Sequence, residues 1–439
     1  MRVKVFVQEG GGNAGERVPM LLSKKNNLPL FYPNVYVTTM LRTTNAQSAT
    51  LEVNLYSLKH LYAWARNNQI DLEARFLEKG EFLNEEEAES LRAAVKLRHK
   101  ALVDQGIDIP DPIQKSRRVQ PQVRKRRAAK KSPSLYRSSK SCTTTLSDIR
   151  GYLDWLAGKA VGRVPAAVRS VENLKKDRSE MKEWLKIGLN KANKGRNSGT
   201  QTNEGLSRED DDRLFALVHP DAPDNPFSHG YAKFRNYVFM KVCRDLALRK
   251  SEALGFYVDD IDFDEGTITV YRRPDNREDK RTNEPNAKTL DRELILGDDL
   301  CRLLKKYITE YREKYDGCKE HNFIFVAEGT GKALSKSSAN QIFETIRNIT
   351  NLKLSDALRK VTAHILRFTW CDRYYDENVE VLGKSDLISD MIYQCGWAKN
   401  TKMVEKYANR AIDSRARRRV YDYQERVFAR KGGNDAQQN

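Results

Sequence analysis

The sequence predicts a mainly α-helical protein with a small antiparallel β-sheet, in which a helical domain precedes an α+β domain. Three observations lead to this prediction. Long segments place apolar residues three and four positions apart, which is typical of amphipathic helices. Short stretches of β-branched and aromatic residues flank turn signals, as strands do. The 439 residues also exceed what one ordinary core accommodates, so we expect two or three domains.

Residues 1–43 predict a small N-terminal β element. The segments VKVFV and LPLFYPNVYVTTM are rich in β-branched and aromatic residues. Three consecutive glycines at 10–12 and the Pro33-Asn34 pair interrupt them, as turns do. We therefore expect short strands over residues 1–40.

Residues 44–195 predict a helical domain. Apolar side chains recur at helical spacing from Leu51 to Ala65, and two asparagines at 67–68 end the pattern. The segment NEEEAESLRAAVKLRHKALV predicts a second helix, because its early acids and late bases complement the helix dipole. Residues 144–192 predict further helices.

A basic segment, residues 115–140, interrupts the helical domain. It holds many bases, no acid and two prolines, so it cannot build a core and we expect a flexible segment. It is either a soluble linker or a segment that follows DNA, and its single-signed charge favours the second interpretation. The candidate DNA-binding residues are Arg117, Arg118, Arg124, Lys125, Arg126, Arg127, Lys130 and Lys131.

Residues 205–430 predict the α+β domain, which a polar linker precedes and a disordered tail at 431–439 follows. Ser207 is a candidate N-cap, with Asp210 three residues later. Residues 258–296 predict a β-hairpin whose return strand is LDRELIL, with a long polar loop between the strands.

The composition favours a polyanionic partner. Lysine and arginine total 78 against 60 acids, a formal net charge of +18. Nucleic acid is the simplest partner for such a surplus, and an anionic membrane surface is the competing one. The sequence has no apolar run long enough to span a bilayer and no secretory signal, so we expect a cytoplasmic protein without a membrane partner.

The cysteines and glycines predict neither a metal nor a nucleotide cofactor. The six cysteines are scattered without a Cys-x-x-Cys pair, which favours reduced thiols over structural zinc or a disulfide framework. Val326 stands where a phosphate loop ahead of Lys332 would need its first glycine.

An ordered set of side chains in the last two hundred residues suggests phosphodiester chemistry. Arginines, lysine, imidazole and indole can hold a phosphodiester whose charge grows in a transition state, and tyrosine can attack phosphorus. The set is Arg249, Lys288, His364, Arg367, Trp397 and Tyr407. His364 and Arg367 are three residues apart, so a helix places them on one face. Apart from this set, Arg249 could simply pair with Glu252 or Asp245.

The motifs around these residues are similar to those of the tyrosine recombinase (phage integrase) family. ALRKSEALGF resembles its first signature, TAHILRFTW its His-x-x-Arg signature, and CGWAKNTKMVEKYANR its third. The family usually has glycine where Ala247 stands, and many members have histidine at the position of Phe368, which we expect to be a packing residue. The likeness covers 205–412, whereas 44–192 share only the helical character of the family's core-binding domain.

The resemblance implies that Arg249 and Arg367 bind the scissile phosphate. It also implies that Glu252 supports Arg249, and that His364 and Trp397 present N–H donors to the same phosphate.

The resemblance further implies that Lys288 protonates the 5′ leaving oxygen and that Tyr407 is the nucleophile. Lys280 is the alternative general acid, because the long polar loop leaves the register open. Tyr393 competes with Tyr407 but precedes the Gly-Trp element.

The reaction that the resemblance implies is site-specific DNA recombination without a metal or ATP. Tyr407 would form a 3′-phosphotyrosyl bond and release a 5′-hydroxyl, and the hydroxyl of a partner strand would reverse the step. Such a protein moves or resolves a DNA element of the prokaryotic nucleoid. A C-shaped clamp of two domains would hold double-stranded DNA, and copies of the chain would assemble as a tetrameric synapse. Participation of accessory recombinases or DNA-bending proteins stays open.

Three other functions stay open. A type IB topoisomerase uses similar residues to relax supercoils and does not need to exchange partners. A DNA-binding protein on a decayed recombinase fold would lack the reaction, although no position of the set is lost here. An RNA-binding protein would account for the charge but not for the ordered set.

Overall fold

The computed structural model describes residues 1–8, 15–104, 135–186, 205–287, 289–349, 354–401, 404, 416 and 419–426. Within these residues the protein is mainly α-helical with two small antiparallel sheets, which confirms the predicted fold class. The chain divides into two compact units, Met1–Gly199 and Thr200–Asn439. None of the helices in these ranges is long and apolar enough to cross a membrane.

Several predicted sites lie outside the described residues. They are the general acid Lys288, the nucleophile Tyr407, the tail at 431–439 and the basic residues Arg117, Arg118, Arg124, Lys125, Arg126, Arg127, Lys130 and Lys131.

The first unit is a β-hairpin packed on helices. Strands β1 (Arg2–Val7) and β2 (Arg17–Leu22) pair antiparallel, with Arg2 opposite Leu22. The helices of its described part are α1 (Phe31–Tyr36), α2 (Ser48–Asn67), α3 (Leu72–Leu77), α4 (Glu85–Val95), α5 (His99–Asp104), α6 (Ser139–Val161) and α7 (Val171–Lys186). Helix α2 packs against β2 and α6, and α6 packs against α7, which encloses an aliphatic and aromatic core.

The prediction of strands is confirmed for VKVFV but is wrong for LPLFYPNVYVTTM. That segment forms α1 and a π-helical turn over 37–41. Pro33 lies in the first turn of α1, where its missing N–H removes no helical hydrogen bond. The Asn34 side chain bonds both the backbone N–H (2.8 Å) and the carbonyl (3.0 Å) of Leu21, so a contact with β2 fixes this helix.

The predicted single helix over 84–103 is also wrong, because the chain breaks it in two. Asn84 and Glu87 form a capping box that begins α4, which ends at Val95. The Arg98 backbone N–H then donates to the Leu135 carbonyl at 2.9 Å, outside any helix. A pairing between residues so distant in sequence overrides the local helical preference.

The second unit contains the predicted hairpin region. Its described helices and strands are α8 (Arg208–Leu217), α9 (Gly230–Asp245), α10 (Lys250–Gly255), β3 (Ile261–Asp262), β4 (Thr267–Val270), β5 (Arg292–Ile295), α11 (Asp298–Lys306), α12 (Lys336–Arg347), α13 (Ala363–Asn378) and α14 (Lys384–Cys395). The sheet order is β3-β4-β5, all antiparallel, with Val270 opposite Arg292. Ser207 caps α8 as predicted, since its hydroxyl accepts the Asp210 N–H at 3.1 Å.

A tight turn between α9 and α10 positions the first arginine of the set. The sequence predicts Arg249 at the end of a helix, but α9 ends at Asp245 and Arg249 is the N-cap of α10. Ala247 has a left-handed φ of +50°, which ends α9. Glycine adopts this conformation at lower energy than alanine. This explains why the family that the motifs resemble usually has glycine at this position.

Candidate active site

A fully buried carboxylate gathers three arginines in the second unit. Glu252 Oε1 lies 3.3 Å from Arg249 Nη1, and its Oε2 lies 3.4 Å from Arg292 Nη2 and 3.6 Å from Arg367 Nη1. Three positive charges against one negative charge leave a formal surplus of two. A buried charge without a partner is unfavourable, so this arginine cluster is suited to an additional anion.

Glu252 is held in its ionised form. The Arg249 backbone N–H donates to Oε2 at 2.8 Å, and the Thr289 hydroxyl donates to Oε1 at 2.6 Å. Burial alone would raise the pKa of this carboxyl, but Arg292 and Arg367 outweigh burial and the pKa lies below its usual value. Glu252 is therefore negatively charged at neutral pH and stabilises the three arginines around it.

Two backbone carbonyls fix the plane of the Arg367 guanidinium. Nη1 donates to the Ala247 carbonyl and Nη2 to the Cys395 carbonyl, each at 2.7 Å, and the side chain is 1% exposed. Cys395 is the last residue of α14, where the helix dipole favours a cation. The turn before α10 and the end of α14 thus position an arginine that belongs to α13.

Arg292 is a member of the cluster that the sequence analysis missed. Its Nε donates to the Gln394 carbonyl at 2.9 Å and its Nη1 to the Thr289 hydroxyl at 3.2 Å. The available signal was strand alternation, because Arg292 and Leu294 share the buried face of β5. An arginine at an inward-facing strand position needs an anionic or carbonyl partner.

Gly396 allows Arg292 to approach the end of α14. Its φ is +59°, and a Cβ there would lie 2.6 Å from Arg292 Nη1 and 2.8 Å from the Thr289 Cβ. Both the backbone conformation and the close contact therefore require glycine. These two constraints explain why the first residue of the Gly-Trp motif, Gly396, is a glycine.

His364 and Trp397 lie next to Arg367. The Arg367 Cζ is 5.4 Å from the centroid of the buried Trp397 ring. His364, on the first turn of α13, packs its exposed ring on Phe368, which is buried as predicted. Partial desolvation, followed by the cations Arg367 and Arg249, lowers the pKa of His364 below its ordinary value. The imidazole is therefore neutral at pH 7.

Of the three arginines that contact Glu252, Arg249 is the most exposed to solvent. Its side chain is 33% exposed, compared with 2% for Arg292 and 1% for Arg367. Desolvation and then the neighbouring Arg367 lower its pKa below the usual arginine value. An anion would relieve this repulsion between two guanidinium groups.

The structure thus brings together Arg249, Glu252, His364, Arg367 and Trp397. Lys288 and Tyr407 lie outside the described residues.

The two competing residues have other contacts. The alternative general acid, Lys280, is exposed, and its Nζ lies 3.3 Å from Glu320. The competing tyrosine, Tyr393, donates its hydroxyl to the Glu293 carbonyl at 2.8 Å.

A separate basic cleft of about 750 Å³ lies in the first unit. Its charged side chains are Lys59, Arg98 and Arg137, and none of the described residues that line it is acidic. Its other lining residues are Val53, Tyr56, Ser57, His60, His99, Ser138, Ser141, Thr144 and Thr145. We call this feature the basic cleft. Of its cations, Arg137 belongs to the basic segment 115–140, whereas Lys59 and Arg98 come from other parts of the chain and no local pattern predicted that they meet.

Two hydroxyls that line the basic cleft accept hydrogen bonds from Arg137. Arg137 Nη2 donates to Ser141 at 2.9 Å and to Thr145 at 2.7 Å. Desolvation, with Lys59 nearby, lowers the pKa of His99 to about 4, so this imidazole is neutral. Asp148, which is not a lining residue, accepts from the Ser57 hydroxyl at 2.7 Å.

Comparison with known proteins identifies one family. Residues 221–411 match the model of the phage integrase family. No curated protein matches the chain.

Several solved structures are similar to part of the chain. A Tn1549 transposon integrase in complex with a circular intermediate DNA has 16% identity and a TM-score of 0.37, covering 60% of this chain and 80% of that one. XerA recombinase has 18% identity and a TM-score of 0.34, covering 64% and 82%. XerH bound to its difH substrate has 16% identity and a TM-score of 0.35, covering 64% and 84%. Likeness at this level carries no functional argument.

Proposed function

We propose that the chain, whose residues 221–411 match the phage integrase family, is a site-specific DNA recombinase that cuts and rejoins strands through Tyr407. Tyr407 would attack the scissile phosphorus, form a 3′-phosphotyrosyl bond and release a 5′-hydroxyl. A hydroxyl from a partner strand would then attack this bond and free the tyrosine. Both steps exchange one phosphodiester for another.

The charge surplus of the arginine cluster is the observation that supports this proposal. A phosphodiester carries one negative charge, and the pentacoordinate transition state of its exchange carries two. Three guanidinium groups around one carboxylate leave a formal surplus of two, which matches the transition state better than the ground state. Differential stabilisation of that kind accelerates a reaction.

Arg249 and Arg367 would contact the phosphate, and Arg292 would position the groups around them. Arg249, the more exposed one, would donate to a non-bridging oxygen, and Arg367 would donate to the same phosphate from its fixed plane. His364 is neutral, so one ring nitrogen can donate while the other accepts. Arg292 would be a positioning residue, because its donors already serve Gln394, Thr289 and Glu252.

We propose Lys288 as the general acid that protonates the 5′ leaving oxygen. A lysine can supply that proton when it approaches the leaving group closely. Lys280, the alternative, is exposed and pairs with Glu320, which favours Lys288.

Duplex DNA would also contact the first unit. The basic cleft offers cations and hydroxyls without a lining carboxylate, a combination that suits phosphate oxygens. The candidate DNA-binding bases at 117–131 would add further phosphate contacts.

Assembly of several copies on DNA is part of the same proposal. Residues 419–426 are helical, and their exposed Val420, Tyr421 and Tyr423 could pack against a second copy.

A covalent-capture experiment tests the nucleophile. A nicked duplex, built on a sequence that the chain selects from a random DNA pool, should trap the wild-type protein as a covalent adduct on a denaturing gel. Tyr407→Phe should abolish that adduct and leave DNA affinity nearly unchanged, since only the attacking oxygen is lost. Tyr393→Phe is the matched control and should retain the adduct.

The other outcomes separate the remaining functions. An adduct that persists in Tyr407→Phe and disappears in Tyr393→Phe would transfer the role to Tyr393. No adduct from the wild type would favour a DNA-binding protein without this reaction. Relaxation of a supercoiled plasmid without exchange between two DNA sites would favour a type IB topoisomerase.

A further inference from the structure

Two cysteines from different helices are in contact beside the arginine cluster. Cys371 belongs to α13 and Cys395 ends α14, and their Sγ atoms are 3.5 Å apart. Both side chains are fully buried. The proposed strand cleavage uses neither thiol, and the scattered sequence positions did not predict that they meet.

The separation of the two sulfur atoms is close to what a covalent bond requires. Sulfur atoms in a disulfide are about 2 Å apart, so the two would need to approach by about 1.5 Å. Helices α13 and α14 already pack against each other, and Cys395 is the last residue of α14, where the backbone can shift without breaking the middle of a helix. The pair can therefore be bridged by a local movement.

The surroundings favour the thiolate of Cys395. Burial alone would raise its pKa, but the hydrogen bond from Cys371 and the positive charges of Arg367 and Arg292 lower the pKa below the usual value. Thiolates are the form that oxidants attack. The other member, Cys371, is in position to resolve the oxidised sulfur.

We propose that Cys371 and Cys395 form a modification site at which a hydroperoxide converts the thiol pair to a disulfide that reversibly lowers DNA strand cleavage. With hydrogen peroxide, the Cys395 thiolate first attacks a peroxide oxygen, the O–O bond breaks, and a sulfenic acid and hydroxide form. The hydroxide takes up a proton and leaves as water; an organic hydroperoxide would release its alcohol instead. In the second step the Cys371 thiol attacks that sulfur and releases a second water. The two thiols lose two electrons, and the peroxide gains them.

The consequence for the arginine cluster follows from the backbone of α14. The Cys395 carbonyl holds Arg367, and the adjacent Gln394 carbonyl holds Arg292. Drawing the Cys395 sulfur toward α13 would move both carbonyls and the Gly396 contact with Arg292. A displacement of about 1 Å at a catalytic group lowers rates by about 100-fold. This part of the inference rests on the proposed function, whereas formation of the disulfide does not.

The first test is chemical and needs no DNA. The full chain is treated with hydrogen peroxide, free thiols are alkylated, and the peptides are analysed by mass spectrometry. We expect a linked pair of peptides containing Cys371 and Cys395, lighter by two hydrogen atoms, which dithiothreitol separates. Recovery of both cysteines as alkylated thiols after treatment, in protein whose circular dichroism is unchanged, would refute the modification site.

The second test measures covalent DNA capture before and after peroxide for each variant. In the wild type, capture after peroxide should be about 100-fold lower than capture before it, and dithiothreitol should restore it. The ratio of capture after to capture before peroxide is compared among the variants. Cys371→Ala should keep a ratio near one, while Cys243→Ala, which removes an equally buried thiol from α9, should fall as the wild type does. Cys371→Ser replaces the alanine variant if that variant does not fold.

The two proposals can fail separately. If the disulfide forms and capture is unchanged, the regulatory consequence is wrong. If the untreated wild type captures no DNA, the proposed function fails, and the peptide result still decides the modification site.

Discussion

The arginine cluster around Glu252 and the basic cleft of the first unit both collect positive charge, but they hold it differently. In the arginine cluster, Arg292 and Arg367 are almost fully buried, and carbonyls and a carboxylate fix their orientation. In the basic cleft, the Arg137 guanidinium donates to two hydroxyls, and none of the described lining residues is acidic. The arginine cluster therefore fixes the orientation of its guanidinium groups, whereas the basic cleft presents positive charge without fixing a particular geometry.

The difference in burial sets what each region can do. Charges in a low-dielectric interior interact strongly, so a buried cluster can stabilise a developing negative charge without reorganising. Open charges are screened beyond about 10 Å at 0.1 M salt, which suits a sequence-independent hold on a polyanion. Substitutions in the two regions should therefore differ in magnitude and in salt dependence.

The largest expected effect belongs to Arg367→Lys. Lysine keeps the charge but cannot donate simultaneously to the Ala247 and Cys395 carbonyls and to a phosphate in one plane. We expect the rate of covalent DNA capture to fall by about 100- to 1,000-fold at saturating DNA. Arg208→Lys, an exposed arginine that pairs with Glu377, is the matched control and should capture DNA at the wild-type rate.

Equal rates of DNA capture in Arg367→Lys and Arg208→Lys would contradict the distinction between the arginine cluster and the basic cleft. They would mean that charge alone is sufficient in the buried cluster, as we expect in the basic cleft.

Gly396→Ala should give the next largest effect. The alanine would adopt a left-handed φ, and its Cβ would collide with the Arg292 guanidinium. Gly329→Ala is the matched control, since Gly329 has a φ of +80° but nothing within 4 Å of its Cβ position. Strain alone should cost Gly329→Ala about 1–2 kcal/mol of unfolding free energy. Gly396→Ala should lose about 1–3 kcal/mol more through overpacking, measured by urea denaturation.

The two glycine variants should also differ in DNA capture. Displacement of Arg292 should slow capture in Gly396→Ala, whereas Gly329→Ala should react normally. Matching losses of stability would show that the close approach of Arg292 has no energetic importance.

The sequence predicted the polar motifs of the site better than the contacts that hold them. Short motifs identified Arg249, His364 and Arg367, and the structure brings all three into one region. No motif predicted Arg292, because its contact with the arginine cluster region includes the Gln394 carbonyl, about one hundred residues away in α14. A local pattern shows that a strand arginine faces inward, but it does not show which carbonyl receives it.

The fold shows the same limit. Helix α2 follows from its apolar spacing, because that signal extends from Leu51 to Ala65, about four turns. The segment at 28–40 was assigned the wrong structure because Asn34 bonds to Leu21, a tertiary contact that overrides strand propensity. The class of the fold was predictable because it depends on many such segments, and single exceptions do not change it.

The basic cleft should respond mainly through salt dependence. Arg137→Gln removes a cation whose partners are hydroxyls, so we expect weaker DNA binding with the slope of log K against log[salt] reduced by about one. Capture at saturating DNA should be unchanged. Arg169→Gln removes the same charge from an arginine that already contacts Asp177, and its slope should match the wild type. A slower capture rate in Arg137→Gln would mean that the basic cleft orients DNA and does more than attract it.

The smallest expected effect concerns the turn whose carbonyl holds Arg367. Ala247 is buried at a φ of +50°, so glycine there would relieve about 1–2 kcal/mol of backbone strain. The lost methyl group and the more flexible unfolded chain would offset this gain by about 1–2 kcal/mol. Ala247→Gly should therefore change the unfolding free energy by less than about 1 kcal/mol.

A second buried alanine isolates the contribution of the backbone at this turn. Ala339 is a buried residue in the first turn of α12, where the backbone is right-handed, so Ala339→Gly loses the same methyl group without relieving strain. It should destabilise the protein by about 1.5–2 kcal/mol in urea denaturation. Equal losses in the two variants would mean that the turn at Ala247 is unstrained. The Ala247 carbonyl would then hold Arg367 without any stored backbone strain, and the arginine cluster would differ from the basic cleft only in burial and in the fixed orientation of its guanidinium groups.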